Sequence, residues 1–275
     1  MMCKKPFRQA GMEYGCGQCL PCRISRRRLW ATRIQLESLC HEKSSFVTLT
    51  YSPEHLPRDN SLDPRHIQLF LKRLRRALEP RRIRFFAVGE YGERHSRPHY
   101  HLALFGVDRD DEPALLKAWG KGFVDVGDIQ QESASYIAGY VVKKLTARDA
   151  MKDGRYPEFA RMSLRPGIGS LAIEVIMQVV YSSAGSKDVA IRGDVPDQIH
   201  LNGKKVPLGR YLRNQLRDAY GIAKKTPDEV MRVLQWSSPL YNLSPTEFYA
   251  RESLREQHGR NALARIRLYF SRRKL

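Results

Sequence analysis

The stretch IRFFAVGEYGERHSRPHYHLALFG, Ile83–Gly106, decides how the chain is read. Two apolar, β-branched and aromatic runs flank a short polar segment with Gly92 and Pro98. That pattern predicts an antiparallel β-hairpin. Residues i and i+2 of a strand share a face. His99 and His101 therefore point the same way, and two imidazoles so placed can bind one divalent cation. Glu90, late on the preceding strand, could supply a cross-strand carboxylate. Glu93, nearer the turn, competes for that role. Two imidazoles and one carboxylate would leave coordination positions open for phosphate oxygens and water.

The flanks extend the hairpin into a domain. SFVTLTYS, Ser45–Ser52, is a strand. Asp63-Pro64 opens a helix as N-cap and first position, and Pro80 closes it. Asp111–Trp119 is a short helix, GFVDVGDI (Gly122–Ile129) a strand, and Glu132–Thr146 a helix. Upstream, Arg23–Leu39 reads as a basic helix and Cys3–Cys22 as irregular chain. This order predicts an α+β fold: an antiparallel β-sheet with helices on one face, ferredoxin-like or RRM-like. A Cys-rich segment precedes it, and a largely helical, basic C-terminal extension follows. The expected divisions are 1–44, 45–150 and 151–275. Within the last, Arg155–Ser170 reads as a loop-rich bridge and Leu171–Tyr181 as helix or strand. DVAIRG (Asp188–Gly193) and QIHLNGKKVPL (Gln198–Leu208) could form a small hairpin.

Charge narrows the function. Among 275 residues, 48 Lys and Arg face 29 Asp and Glu, a net charge of +19. A chain this basic is expected to meet a polyanion, nucleic acid before membrane. No apolar run approaches the roughly 18–20 residues of a spanning helix, and the start lacks the apolar core of a secretory signal. The five cysteines are expected to be thiols or metal ligands in a reducing compartment. Cys16, Cys19 and Cys22, with Cys3 upstream, could enclose a structural Zn²⁺; free or redox-active thiols are the alternative. Arg23, Arg26 and Arg27 follow on a basic helix suited to DNA phosphates.

SYIAGYVVKK, Ser135–Lys144, holds the second chemical signal. At about 100° per residue, Tyr136, Tyr140 and Lys143 fall on one helix stripe, with Lys144 at its edge. Two tyrosines alone would suit a helix packed on a sheet. A lysine in the same stripe suits a nucleophilic phenol, a second phenol and a cation for phosphate. A phenol has an ordinary pKa of about 10, so such chemistry also needs a Lewis acid at the phosphate.

These motifs resemble those of the HUH endonucleases, the rolling-circle replication initiators. FVTLTY (Phe46–Tyr51), PHYHLALF (Pro98–Phe105) and YIAGYVVKK (Tyr136–Lys144) match in the family's order. CGQCLPCR (Cys16–Arg23), the GEYGERHSRPHYH run and RPGIGS (Arg165–Ser170) narrow the resemblance. They point to replication initiators of small single-stranded DNA bacteriophages, the gokushovirus branch of the microviruses. The resemblance covers about residues 1–170. It implies a metal site of His99, His101 and Glu90 holding Mg²⁺ or Mn²⁺, with Tyr136 and Tyr140 as nucleophiles and Lys143 assisting. The reaction would leave a 5′-phosphotyrosyl bond and a free 3′-OH on single-stranded or origin DNA in the host cytoplasm. No Walker G-x-x-x-x-G-K-[ST] is present, so a host helicase and DNA polymerase would be the partners. The alternatives are a non-enzymatic zinc-containing nucleic-acid binder and an HUH transposase or plasmid relaxase.

Overall fold

A computed structural model describes residues 3–9, 12–92, 95–143, 154–224, 228–238 and 243–272, without the side chains of 140–143, 266–267 and 269–272. The chain forms two compact units: residues 27–176 with 206–208, and residues 1–26 with 177–205 and 209–275.

The first unit holds a five-stranded sheet. Its strands are β3 (Ser44–Tyr51), β4 (Arg84–Tyr91), β5 (Pro98–Phe105), β6 (Gly122–Gly127) and β7 (Phe159–Met162). They run in the order β6-β3-β5-β4-β7 with every pair antiparallel. The α+β class and the antiparallel sheet are as the sequence predicts. The central hairpin pairs Glu90 with His99 and Val88 with His101.

The helices differ from expectation: they cover both faces. On one face, Val47, Leu49, Tyr51, Tyr100, Leu102 and Leu104 pack against α2 (Pro64–Ala77) and α3 (Glu112–Trp119). On the other, Phe86, Val88, Ala103 and Phe105 meet Ile34 of α1 (Leu20–Ser38) and Ala134, Ile137 and Ala138 of α4 (Gln131–Lys143). The cause is legible in composition. β5 is apolar on both its faces after His101, and a strand buried on both faces needs two layers. Each fully buried Leu or Phe contributes about 1.5–3 kcal/mol.

Local signals set the helix ends. The Asp63 carboxylate accepts the Arg65 N–H at 2.7 Å, with Pro64 at the first position. Gly120 closes α3 with φ +56°. Gly122 lets β6 enter its pairing with Tyr51, since a Cβ there would lie 2.2 Å from the Ser52 nitrogen.

The expected bridge Arg155–Ser170 departs from prediction. It contributes β7, which pairs Phe159 with Gly89 and Met162 with Phe86 at the sheet edge. The sheet therefore runs past residue 150. RPGIGS is docked rather than loose: the Gly169 N–H donates to Glu37 at 2.5 Å and Arg33 Nε donates to the Ile168 carbonyl at 2.8 Å.

The second unit carries the N-terminal ribbon, β1 (Phe7–Gln9) and β2 (Met12–Tyr14), where irregular chain is expected. Glu13 of β2 holds Arg255 at 2.5 Å and Arg251 at 3.2 Å. Most of its other elements are helical: α6 (Ser183–Arg192), α7 (Gly209–Tyr220), α8 (Asp228–Trp236) and α9 (Pro245–Arg272), with α5 (Ile173–Val180) leading in. DVAIRG closes α6 instead of pairing, because the Ser182 hydroxyl caps that helix through Gly185 N–H. QIHL and KKVP pair with each other as β8 (Gln198–Leu201) and β9 (Lys204–Pro207). No helix among the described residues is long and apolar enough to cross a membrane.

Candidate functional site

The site grows from register. His99 and His101 lie on the β5 face turned toward α4, and Glu90 lies beside His99 on β4. One Glu90 oxygen stands 2.6 Å from His99 Nε2 and 2.9 Å from His101 Nε2. Glu90 and His101 are buried, at 5% and 7% exposure.

Each imidazole is fixed from behind. His99 Nδ1 lies 3.1 Å from the Arg97 carbonyl, and His101 Nδ1 lies 3.0 Å from the Thr48 hydroxyl. A carbonyl only accepts, so His99 carries its proton on Nδ1. The neutral ring then turns a lone pair at Nε2 onto a carboxylate oxygen. Two acceptors 2.6 Å apart require a cation between them, a proton or a metal. Burial pushes the Glu90 carboxyl up, but the hydrogen bonds from His101 and His99 outweigh it and the net shift is down. Burial lowers His99, and the Glu90 hydrogen bond reverses that to a net rise. The three donor atoms lie within 4.8 Å of one another. Ligand atoms about 2.0–2.2 Å from one ion stand roughly 3 Å apart, so the trio fits a divalent cation with little movement. Hydrogen-bonded outer partners on both imidazoles are what such sites use to aim their ligands.

Thr48 is the functional residue that sequence reading passed over. It pairs with His101 across β3 and β5, and its period-two position in FVTLTY was the available signal. Glu158, just before β7, is another. It accepts the Tyr91 N–H at 3.0 Å, and its charge helps hold His99 up. Of the two proposed third ligands, Glu90 reaches both imidazoles; Glu93 lies outside the described residues.

Helix α4 brings the tyrosine stripe over this face. The Tyr136 ring centre is 5.2 Å from that of His101, edge-on, and 6.2 Å from Phe46. Phe46 in turn stacks on His101 at 5.6 Å. Ala134, Ile137 and Ala138 bury the helix on the sheet, leaving Tyr136 37% exposed beside the metal ligands. Tyr140 and Lys143 follow on the same helix, but their side chains, and Lys144, fall outside the description. Arg27, expected to meet DNA, has an internal use: its Nε donates to the Ser135 carbonyl at 2.7 Å, and its guanidinium lies over Gly139.

The second unit gathers Cys3, Cys16, Cys19 and Cys22, with all four sulfurs within 4.8 Å of one another. Backbone N–H groups aim at them: Cys16 N–H to Cys3 Sγ at 3.2 Å, Cys19 N–H to Cys16 Sγ at 3.3 Å, Lys4 N–H to Cys19 Sγ at 3.4 Å. The Cys19 N–H leads the effects that bring the Cys16 thiol down to about 6, while burial pushes Cys22 up. Four thiolates at this spacing repel, and a dication relieves that repulsion. The donor set is the one structural zinc takes. Cys40 stands apart, its thiol donating to the Leu36 carbonyl. Arg26 lies over Gly17, which takes φ +74°; Arg23 begins the second turn of α1.

Known proteins carry the same pattern. Residues 44–145 match the family model of replication-associated protein ORF2. Replication-associated protein ORF2 of Spiroplasma virus 4 is 36% identical over 178 residues, covering 56% of this chain and 55% of the relative. Replication-associated protein VP4 of Bdellovibrio phage phiMH2K is 31% identical over 227 residues, 74% of this chain and 68% of the relative. Replication-associated protein ORF4 of Chlamydia phage 1 is 27% identical over 232 residues, 76% of this chain and 55% of the relative. The chain thus spans about half the length of two of these relatives and two thirds of the third. No solved structure matches it. The chain belongs to the family of phage replication-associated proteins, of which the VP4 protein of phiMH2K is a member.

Proposed function

We propose that the protein initiates rolling-circle replication by nicking and rejoining single-stranded or locally melted origin DNA. One observation carries the reading: a tyrosine-bearing helix sets Tyr136 against His101, on the face where Glu90, His99 and His101 converge. Mg²⁺ or Mn²⁺ held by Glu90, His99 and His101 would polarise the scissile phosphate as a Lewis acid. The phenol oxygen of Tyr136 attacks phosphorus, and a phosphotyrosyl bond forms on the 5′ side. The bond to O3′ breaks, and O3′ takes up a proton as the primer hydroxyl for a host DNA polymerase. Tyr140, one turn on, is the second nucleophile for cutting again after synthesis. Lys143 neutralises charge at the phosphate. A host helicase opens the duplex, and the reaction runs in the host cytoplasm. Cys3, Cys16, Cys19 and Cys22 hold a structural Zn²⁺ that presents Arg23 and Arg26 to DNA phosphates; Lys144 is a further contact.

The test uses end-labelled single-stranded origin DNA with Mg²⁺ or Mn²⁺. Wild-type protein gives a covalent adduct on a denaturing gel, and the Tyr136→Phe, Tyr140→Phe double variant gives none. A wild-type protein that forms no adduct with either ion, or a double variant that still forms it, overturns the reading. Metal analysis of the purified chain should return one zinc.

A further inference from the structure

We infer that Phe123 is a base-stacking platform for unpaired DNA on its way to the metal site. The inference rests on the nuclease reading for the identity of the polymer, and on the sheet for the place.

Phe123 sits on β6, the sheet edge farthest from β7. Its neighbours Val124 and Val126 turn inward to the core under α2 and α3. Phe123 and Asp125 therefore face the other side, the side of His99 and His101. The register states this strand by strand: Phe123 pairs with Thr50, and Thr50 with His99. Phe123 is thus two strand spacings from His99, about 10 Å. The helix α4 that covers this face packs over β4, β5 and β7. Phe123 is left 65% exposed, the most exposed aromatic of the five strands.

A phenyl ring standing free on a sheet is a hydration cost with no folding return. It suits a ligand with flat apolar faces and a charged backbone. The net charge of +19 selects a polyanion, and continuity with the Tyr136 site selects a nucleic-acid strand. Asp125, exposed on the same face, repels phosphate. The backbone therefore passes on the far side of Phe123, where Lys121 precedes the strand and Arg97 bonds the Tyr51 carbonyl at 2.5 Å. The base lies on the ring.

The experiment measures affinity of the full-length protein for labelled (dT)20 by fluorescence anisotropy, apart from any cleavage. Phe123→Ala should weaken binding about tenfold or more, Phe123→Leu should weaken it equally, and Phe123→Trp should bind within about twofold of wild type. Unchanged affinity in Phe123→Ala overturns the inference, as does full retention by Phe123→Leu, which would mean bulk rather than stacking. Unchanged melting temperatures and circular dichroism certify the fold of each variant. The two readings fail separately. Adduct formation with an indifferent Phe123→Ala removes only the platform. Weakened (dT)20 binding in a protein that forms no adduct removes only the nuclease.

Discussion

The two metal-ligand clusters are built by opposite means. Glu90, His99 and His101 come from neighbouring strands inside a five-stranded sheet, aimed by register and held from behind by Thr48 and the Arg97 carbonyl. Cys3, Cys16, Cys19 and Cys22 come from a short segment whose only described regular pairing is a ribbon of three residues a side. The first cluster stands on a core that exists without an ion. The second gathers four thiols with a handful of N–H···S bonds and little apolar burial of its own. A small segment of that kind takes its folding energy from metal.

Stripping metal with a chelator is the harshest way to break this contrast. Hydrogen exchange should show amide protection lost through residues 3–22 while β5 amides stay protected. Protection retained in both would mean that the cysteine segment folds without an ion. Next in size, Glu90→Gln should lower nicking by more than the roughly 100-fold that outer partners reach, with the fold intact by circular dichroism. Thr48→Val should weaken Mn²⁺ binding about 10-fold to 100-fold in calorimetry, since His101 loses the group that orients it. Tyr100→Phe acts on the same strand from the other face. The Tyr100 hydroxyl bonds Tyr51 at 2.8 Å and both the N–H and the carbonyl of Asp63. Its loss should cost about 1–3 kcal/mol in urea unfolding and leave Mn²⁺ affinity unchanged.

The smallest effect is in pH. In metal-free protein, the raised His99 gives stability that is complete below its ordinary 6.5 and fades as pH rises through the higher folded value. The lowered Glu90 gives stability that is complete above its ordinary 4.5 and fades as pH falls through the lower folded value. Melting temperature should therefore peak between the two, and Glu90→Gln should flatten the alkaline side. Mn²⁺ competes with the His99 proton, so its affinity should fall as the solution is acidified.

The same contrast explains what was legible in the sequence. Period-two alternation exposed β3 and the central hairpin, and with them the facing of His99, His101 and Glu90. Helical spacing placed Tyr136 over the sheet's own ligands. Thr48 stayed hidden because its role depends on a partner 53 residues away, which no local pattern encodes. β7 stayed hidden because FARM is four residues long and pairs along one edge, so neither alternation nor length marks it. The second helical layer was encoded in the unbroken apolar run of β5 after His101, which a one-faced sheet does not need. DVAIRG looked like a strand by its β-branched residues, and a serine cap outweighed them. The cysteine spacing announced a ligand set but not the ribbon between Cys3 and Cys16, whose strands are too short to read.

The central place of β5 has a kinetic consequence. An ion arriving at Glu90, His99 and His101 meets ligands already in position, so capture should be limited by how fast the ion sheds its own water. An ion arriving at the four cysteines waits on the chain. The first cluster can exchange its ion between turnovers, and the second, once filled, keeps it for the life of the fold.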